Sequence, residues 1–214
     1  MATRNWYTKE IGGYTGEGDE PYLINNIWAA HDAIRNYIPQ ISLAAVCGII
    51  GNMFAESGMN PARWQSDNVG NWSGGLGLIQ WTPATAMSDF VTNAYDGNQQ
   101  CEIIAMELKN EPPVNGRWSS GTYPVSVEVF LAETSPSEAA KVYLFNRERP
   151  LEPYATLQYR QDMADYAYQI LTGSPPPDPG PQPEPPTPPG PGPTPTTKLK
   201  FIKKRQNYKR RTIL

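Results

Sequence analysis

The sequence predicts a mainly α-helical body that contains a small hairpin or irregular wall, followed by an extended proline-rich tether and a short basic tail. Three observations support this prediction. Apolar residues recur at helical spacing through most of residues 1–173, and several of these stretches begin or end at residues typical of helix caps. Thirteen of the 23 prolines lie within residues 175–195. Residues 198–214 contain eight basic residues and no acidic one.

The predicted helices follow one another along the body. Their apolar stripes cover residues 23–34, 43–54, 87–94, 101–108, 139–143 and 159–170. The start and stop signals are, in chain order, Pro39, Gly58, the pair Thr82-Pro83, the capping box from Ser135 to Glu138, and Gly173. Residues 59–81 lack a helical period and carry four glycines within residues 70–77, so we expect a loop followed by a small hairpin or irregular wall.

Composition divides the chain into a folded domain (residues 1–173), a linker (174–197) and a tail (198–214). The linker consists mainly of proline, glycine and threonine, which can bury little and favour an extended polyproline II conformation. The net charge of −3 conceals an acidic body, because residues 1–174 hold 19 acidic and 10 basic residues. The basic tail also contains apolar residues, a combination that favours docking onto a partner protein over binding of a nucleic acid.

Several classes of protein are excluded on sequence grounds. No apolar run is long enough to span a membrane, and the opening MATRNWYTKEIGG lacks the apolar segment of a secretory signal, so neither is expected. Two cysteines cannot form a disulfide scaffold, and with one histidine they do not suggest a zinc site. Phosphate-binding glycine motifs are missing from the sequence. We therefore expect no cofactor and no metal.

Glu56 is the main candidate for chemistry. It lies near the end of the second predicted helix, two residues after Phe54 and at the rim of the apolar face. A carboxyl group at such a rim is partly desolvated, and desolvation raises its pKa, as a general acid requires. The segment that follows would form the wall of a cleft. Trp64, Trp72 and Trp81 are candidate platforms for sugar rings, and Gln80 is one of several neutral hydrogen-bonding residues suited to hydroxyl and N-acetyl groups.

Two motifs in this order resemble the lysozyme-like superfamily. Gly48-Ile49-Ile50-Gly51-Asn52 leads into Glu56-Ser57-Gly58, and Gly77-Leu78-Ile79-Gln80-Trp81-Thr82 follows. The pair is most similar to the phage tail lysozyme family, and the resemblance covers about residues 20–172. That family tends to carry a Tyr-Glu-Arg-Pro-like motif, to which Phe145-Asn146-Arg147-Glu148-Arg149-Pro150 is similar except at Arg147.

The resemblance implies an α+β lysozyme-like fold and a glycosidase, either a muramidase or a lytic transglycosylase. The implied reaction is cleavage of the β-1,4 bond between N-acetylmuramic acid and N-acetylglucosamine in peptidoglycan. Glu56 matches the catalytic acid, and Ser57, Gln80 and Trp81 would bind the substrate or shape the sugar subsite. Asp67, in the loop expected to face Glu56, is the best candidate for a second acid at the separation that two-carboxylate glycosidases use.

Other interpretations stay open at this point. Glu148, between two arginines, is most simply a structural ion-pair residue, and Cys47 and Cys101 are expected to be buried free thiols. Residues 198–214 are expected to dock onto phage tail structural proteins, which makes the chain a virion enzyme for cell entry. One alternative is a free endolysin, which passes from the host cytoplasm to the periplasm or wall and binds the wall through the tail. Another alternative is a non-catalytic structural or sugar-binding tail component.

Overall fold

The computed structural model describes residues 4–121 and 123–173, and they form a mainly α-helical fold. Seven α-helices occur in this part of the chain: α1 (Glu20–Tyr37), α2 (Leu43–Ser57), α3 (Thr85–Ser88), α4 (Gly97–Leu108), α5 (Val127–Leu131), α6 (Pro136–Tyr143) and α7 (Leu157–Thr172). A π-helical turn, Leu144–Glu148, continues α6 directly. The predicted fold class is therefore confirmed. The predicted linker and basic tail lie outside the described residues.

Helix α2 is the central element of the core. It packs against α6 and α7, while α1 packs against α4. Every residue of α2 from Ala44 to Phe54 is buried. Two glycines allow its neighbours to approach closely. A Cβ atom at Gly48 would lie 2.5 Å from the backbone of Ala139 in α6, and one at Gly51 would lie 2.3 Å from the carbonyl oxygen of Arg160 in α7.

Most of the predicted helix boundaries agree with the structure. Helix α1 ends at Tyr37, two residues before Pro39. Helix α2 ends at Gly58, whose φ of 58° is the left-handed conformation that glycine adopts without strain. Ser135 caps α6 by accepting a hydrogen bond from the Glu138 amide at 3.3 Å. The Glu138 carboxylate does not complete the capping box, because it pairs with the Tyr123 hydroxyl and Lys141 instead.

The helix predicted to begin at Thr82-Pro83 is much shorter than expected. Helix α3 spans only Thr85–Ser88, and the side chain of Phe90 is 46% exposed. The helix ends early because the side chain of Gln99 binds backbone amides in the residues that follow it. Its Oε1 accepts hydrogen bonds from the amide of Thr92 at 2.7 Å and from that of Asn93 at 3.4 Å. Apolar spacing alone did not reveal this competition.

The segment between α2 and α3 forms the expected irregular wall. Leu76 makes single-residue antiparallel bridges to both Trp64 and Trp81. The amide of Gln65 donates to the carbonyl of Gly75 at 2.8 Å, which closes the loop between them. Within residues 4–121 and 123–173, no helix is both long enough and apolar enough to cross a bilayer. The same residues contain no group of three or more His, Cys, Asp or Glu side chains that could hold a metal ion.

Candidate active site

Glu56 lies in the last turn of α2, where the buried helix reaches the surface. Its side chain is 21% exposed, and its Oε1 accepts a hydrogen bond from Nη2 of Arg160 at 2.6 Å. Arg160, on α7, is almost fully buried and also donates from Nη1 to Oδ1 of Asn52 at 2.8 Å. Arg160 therefore holds one carboxylate oxygen of Glu56. Oε2 has no hydrogen-bond partner among residues 4–121 and 123–173.

The end of α2 is tied to the loop that follows the irregular wall. The buried hydroxyl of Ser57 donates to the carbonyls of Met53 at 2.9 Å and Leu78 at 3.0 Å. Gln80 has a left-handed φ of 50°, and its Nε2 donates to the carbonyls of Arg63 at 2.9 Å and Gly77 at 3.0 Å. These bonds fix residues 77–81 beside Glu56, although the two segments are more than twenty residues apart in sequence.

Glu56 opens into a cleft of about 270 Å³. The cleft is lined by Glu56, Ile79, Gln80, Trp81, Thr82, Ala86, Arg117, Arg147, Glu148, Arg149 and Pro150. A second groove of about 470 Å³ runs along Phe90 and residues 113–117. Ala86 and Arg117 line both hollows, so the cleft and the groove are neighbours and together offer room for more than one sugar unit.

Part of the cleft wall is charged. Arg147 binds the buried carboxylate of Glu107 through Nε at 2.6 Å and Nη2 at 3.2 Å. Oε1 of Glu107 also accepts a hydrogen bond from the indole of Trp81 at 3.0 Å. Burial acts to lower the pKa of Arg147, but the nearby carboxylates outweigh it and raise that pKa, so the guanidinium stays charged.

A family comparison identifies this arrangement. Residues 25–171, which include α2, the irregular wall and the charged wall, match the model of the phage tail lysozymes. The chain belongs to the phage tail lysozyme family. A relative, Morphogenesis protein 1 of Bacillus phage B103, is 34% identical over 135 residues, which is 60% of this chain and 35% of that protein. The chain thus spans about a third of the length of the relative that it matches.

In this member of the family the structure brings together only part of the predicted site. Glu56, Gln80 and Trp81 line one cleft. Trp81 is only 3% exposed, so it forms the floor of the cleft more than a platform for a sugar ring. Gln80 has both amide hydrogens engaged by the loop, which leaves its Oε1 as the group that could accept a further bond.

The other predicted residues lie elsewhere, and their contacts serve the fold. Asp67 accepts a hydrogen bond from the amide of Gly12 at 2.9 Å and forms an ion pair with Nε of Arg63 at 3.0 Å, and it is not among the residues that line the cleft. Ser57 is buried by the contacts described above. Trp64 is 1% exposed and donates to the Tyr95 hydroxyl at 2.8 Å, while Trp72 is half-buried against the edge of Trp64.

Glu148 is the cleft residue that sequence reasoning undervalued. The expected ion pair exists, since its Oε2 lies 3.5 Å from Nη1 of Arg147. The same side chain, however, also lines the cleft with Glu56. Burial raises the pKa of Glu148 to about 8; Arg147 and Arg160 oppose this shift, whereas Glu56 and Glu107 add to it. The available signal was the Arg-Glu-Arg-Pro motif, but its place in the cleft with Glu56 depends on the tertiary fold.

Proposed function

We propose that this protein is a glycosidase that cleaves the β-1,4 bond between N-acetylmuramic acid and N-acetylglucosamine in peptidoglycan, with Glu56 as its general acid. The observation that carries the proposal is the position of Glu56. Its carboxyl group ends a buried helix, is held by Arg160 and opens into a cleft. Membership of the phage tail lysozyme family supports the same reaction class.

In the proposed reaction, Glu56 delivers a proton to the glycosidic oxygen as the bond to the anomeric carbon breaks. Arg160 holds Oε1, so Oε2 is the oxygen that would face the leaving group. The resulting oxocarbenium-like centre is then captured by water in a muramidase, or by the 6-hydroxyl of the same sugar in a lytic transglycosylase. Gln80 and Trp81 would shape the sugar subsite next to the scissile bond.

Cationic side chains around the cleft support an anionic glycan as the substrate. Arg117 is 41% exposed and lies 3.9 Å from Oε1 of Glu107, an oxygen that Trp81 and Arg147 already engage. Arg149 is exposed at the same cleft. The stem peptides of peptidoglycan carry carboxylates that such arginines could bind in a bidentate manner. The body as a whole is acidic, so exposed arginines at the cleft stand out against the overall charge.

We further propose that the protein is part of a phage particle and acts on the host wall during entry. The family and the name of the phage relative, a morphogenesis protein, support association with a particle. In this proposal residues 198–214 dock onto a tail structural protein, and residues 174–197 act as a tether. Deletion of 174–214 should abolish incorporation into particles and leave wall lysis by the purified protein unchanged. Loss of wall affinity instead would favour a free endolysin.

The catalytic proposal is tested by clearing of a peptidoglycan suspension with wild type and Glu56→Gln. The amide cannot donate a proton as an acid does, so we expect the rate to fall by about 10²-fold or more. Glu152→Gln is the matched control, because Glu152 is exposed and lies outside the cleft. Equal clearing by wild type and Glu56→Gln would remove Glu56 from the mechanism.

Mass analysis of the released fragments separates the remaining possibilities. Reducing ends indicate hydrolysis, and anhydro sugars indicate transglycosylation. Tight binding of glycan without any released fragment would indicate a non-catalytic sugar-binding component. Asp67→Asn, with its stability checked by unfolding, should clear at the wild-type rate, because its carboxylate is engaged by Arg63 and Gly12. A loss of clearing in a stably folded Asp67→Asn protein would return Asp67 to the mechanism.

A further inference from the structure

Glu56, Glu148 and Arg147 line the cleft, and two further buried groups, Glu107 and Arg160, are ion-paired with members of this set. Glu107 is paired with Arg147 at 2.6 Å, and Glu56 is paired with Arg160 at 2.6 Å. In each of these two pairs, one guanidinium neutralises one carboxylate. Glu148 is the third acid, and its nearest cation is Arg147 at 3.5 Å, a guanidinium whose closest bonds already go to Glu107. Within this cluster, the negative charge of Glu148 is the least compensated.

Glu148 is also deeply buried. Its side chain is 6% exposed, and its Oε1 is sealed from solvent without a hydrogen-bond partner in the described part of the chain. A buried carboxylate oxygen without a partner carries a large desolvation penalty, which protonation removes. Arg117 is a third cation of this group, but it is partly exposed and lies 3.9 Å from Glu107, so it does not pair with Glu148. The pKa of Glu148, raised to about 8 by burial, agrees with a carboxyl group that stays neutral in the folded protein.

The backbone holds Glu148 in this position. It is the last residue of the π-helical turn, and Arg149 after it has a left-handed φ of 50° with its amide bonded to the carbonyl of Leu144 at 2.8 Å. π-helical turns and left-handed non-glycine residues are uncommon, and both are found preferentially at functional sites. A surface ion pair would not require this geometry.

We infer that Glu148 is a second catalytic carboxyl group, which accepts a proton from the hydroxyl that attacks the anomeric carbon while Glu56 protonates the glycosidic oxygen. This inference rests on the proposed glycosidase function. At the chemical step it gives the cleft one protonated and one ionised carboxyl group, the arrangement that two-carboxylate glycosidases use. It also assigns the role of second acid, expected for Asp67 from sequence, to a residue that lines the same cleft as Glu56.

The proton balance closes over one turnover. In the free protein Glu148 holds the proton. When the glycan fills the cleft, the proton moves to Glu56. Glu56 gives it to the glycosidic oxygen, and the bond between that oxygen and the anomeric carbon breaks. The ionised Glu148 then takes a proton from water or from the 6-hydroxyl as the new C–O bond forms. Glu148 ends protonated and Glu56 ionised, which is the starting state.

The test is the pH profile of turnover for full-length wild type, Glu148→Gln and Glu152→Gln on a soluble peptidoglycan fragment. The Gln variant has the shape of protonated Glu148 but cannot accept the proton. We expect its turnover to fall by about 10²-fold or more, with glycan binding retained. Wild type and the control should lose activity as the pH rises through about 8, when the pair gives up its shared proton. Wild-type turnover and an unchanged profile in Glu148→Gln would overturn the inference.

A second measurement guards against misfolding of the variant. Glu148→Asp keeps a carboxyl group in the motif, so it should be slower than wild type and retain the alkaline loss of activity. In wild type labelled with ¹³C at the glutamate carboxyls, one resonance should titrate above pH 7. The absence of any such resonance would overturn the inference. If Glu56→Gln is inactive while Glu148→Gln is fully active, only the role of Glu148 fails. If Glu56→Gln matches wild type, the proposed function itself fails.

Discussion

Replacement of Glu148 by Gln should stabilise the folded protein, and the gain should grow with pH. Folding raises the pKa of Glu148 from its ordinary value of 4.5 to about 8, chiefly through burial. Between these values the folded chain keeps a proton that the unfolded chain has released. The contribution of this group to stability is therefore fully present below pH 4.5 and is lost as the pH rises through about 8.

The magnitude follows from the size of this shift. Each pH unit inside the window changes the free energy of unfolding by about 1.4 kcal/mol per proton. The full window of Glu148, from 4.5 to about 8, sets an upper limit of roughly 5 kcal/mol. Because Glu148 interacts with Glu56, Arg147 and Arg160, we expect about 2 to 4 kcal/mol. Gln cannot titrate, so it keeps the neutral packing at every pH and avoids this loss.

The assay is equilibrium unfolding in urea at pH 5, 6.5 and 8 for wild type, Glu148→Gln and Glu152→Gln. The difference in unfolding free energy between wild type and Glu148→Gln cancels the titration of groups that the two proteins share. Between pH 5 and pH 8, the free energy of unfolding of Glu148→Gln should increase relative to that of wild type by about 2 kcal/mol or more. The free energy of unfolding of Glu152→Gln should follow that of wild type. A constant difference over this range would show that folding does not raise the pKa of Glu148.

Three further outcomes are expected. Gly51→Ala should lower the free energy of unfolding by about 2 kcal/mol or more, because the added Cβ would lie 2.3 Å from the carbonyl oxygen of Arg160. An unchanged urea midpoint would contradict such close packing. Ser57→Ala should lower the free energy of unfolding by about 1 to 2 kcal/mol, because the hydrogen bonds to two backbone carbonyls are lost. An unchanged urea midpoint would show that these bonds do not stabilise the fold. Cys47 and Cys101 should resist alkylation by iodoacetamide at pH 8 until the protein is unfolded, because both thiols are buried. Burial raises the pKa of Cys47 to about 12 and also raises the pKa of Cys101. Alkylation of the folded protein, detected by mass spectrometry, would refute this prediction.

Much of the helical fold could be predicted from sequence because its determinants are local. The apolar stripe of α2, the left-handed Gly58 and the cap at Ser135 each act within a few residues of the feature they specify. The prediction was wrong for the stretch after Thr82, where a helix was expected to continue to residue 94. There the side chain of Gln99 binds backbone amides seven and six residues earlier, which no periodic pattern reports.

The candidate site was predicted less completely. Glu56 was found because its place at the end of an apolar helix is visible in the sequence. Glu148 was interpreted from its two arginine neighbours. It lies 92 residues after Glu56, and the sequence does not show that the two residues line the same cleft. Trp64 was a candidate sugar platform and lies in the core, because an aromatic residue suited to one environment is equally suited to the other.

The sequence by itself determined most of the helices, several of their ends and the position of one acidic residue at the rim of a buried stripe, since these depend on spacing and on short-range hydrogen bonds. Only the tertiary structure decided which charged groups meet. Arg160 and Glu56 are 104 residues apart, and Arg147 and Glu107 are 40 apart, yet each pair is joined at 2.6 Å. Whether a carboxyl group is paired, buried or left with an unsatisfied oxygen depends on the distance through space to charges and to water, and packing alone sets that distance.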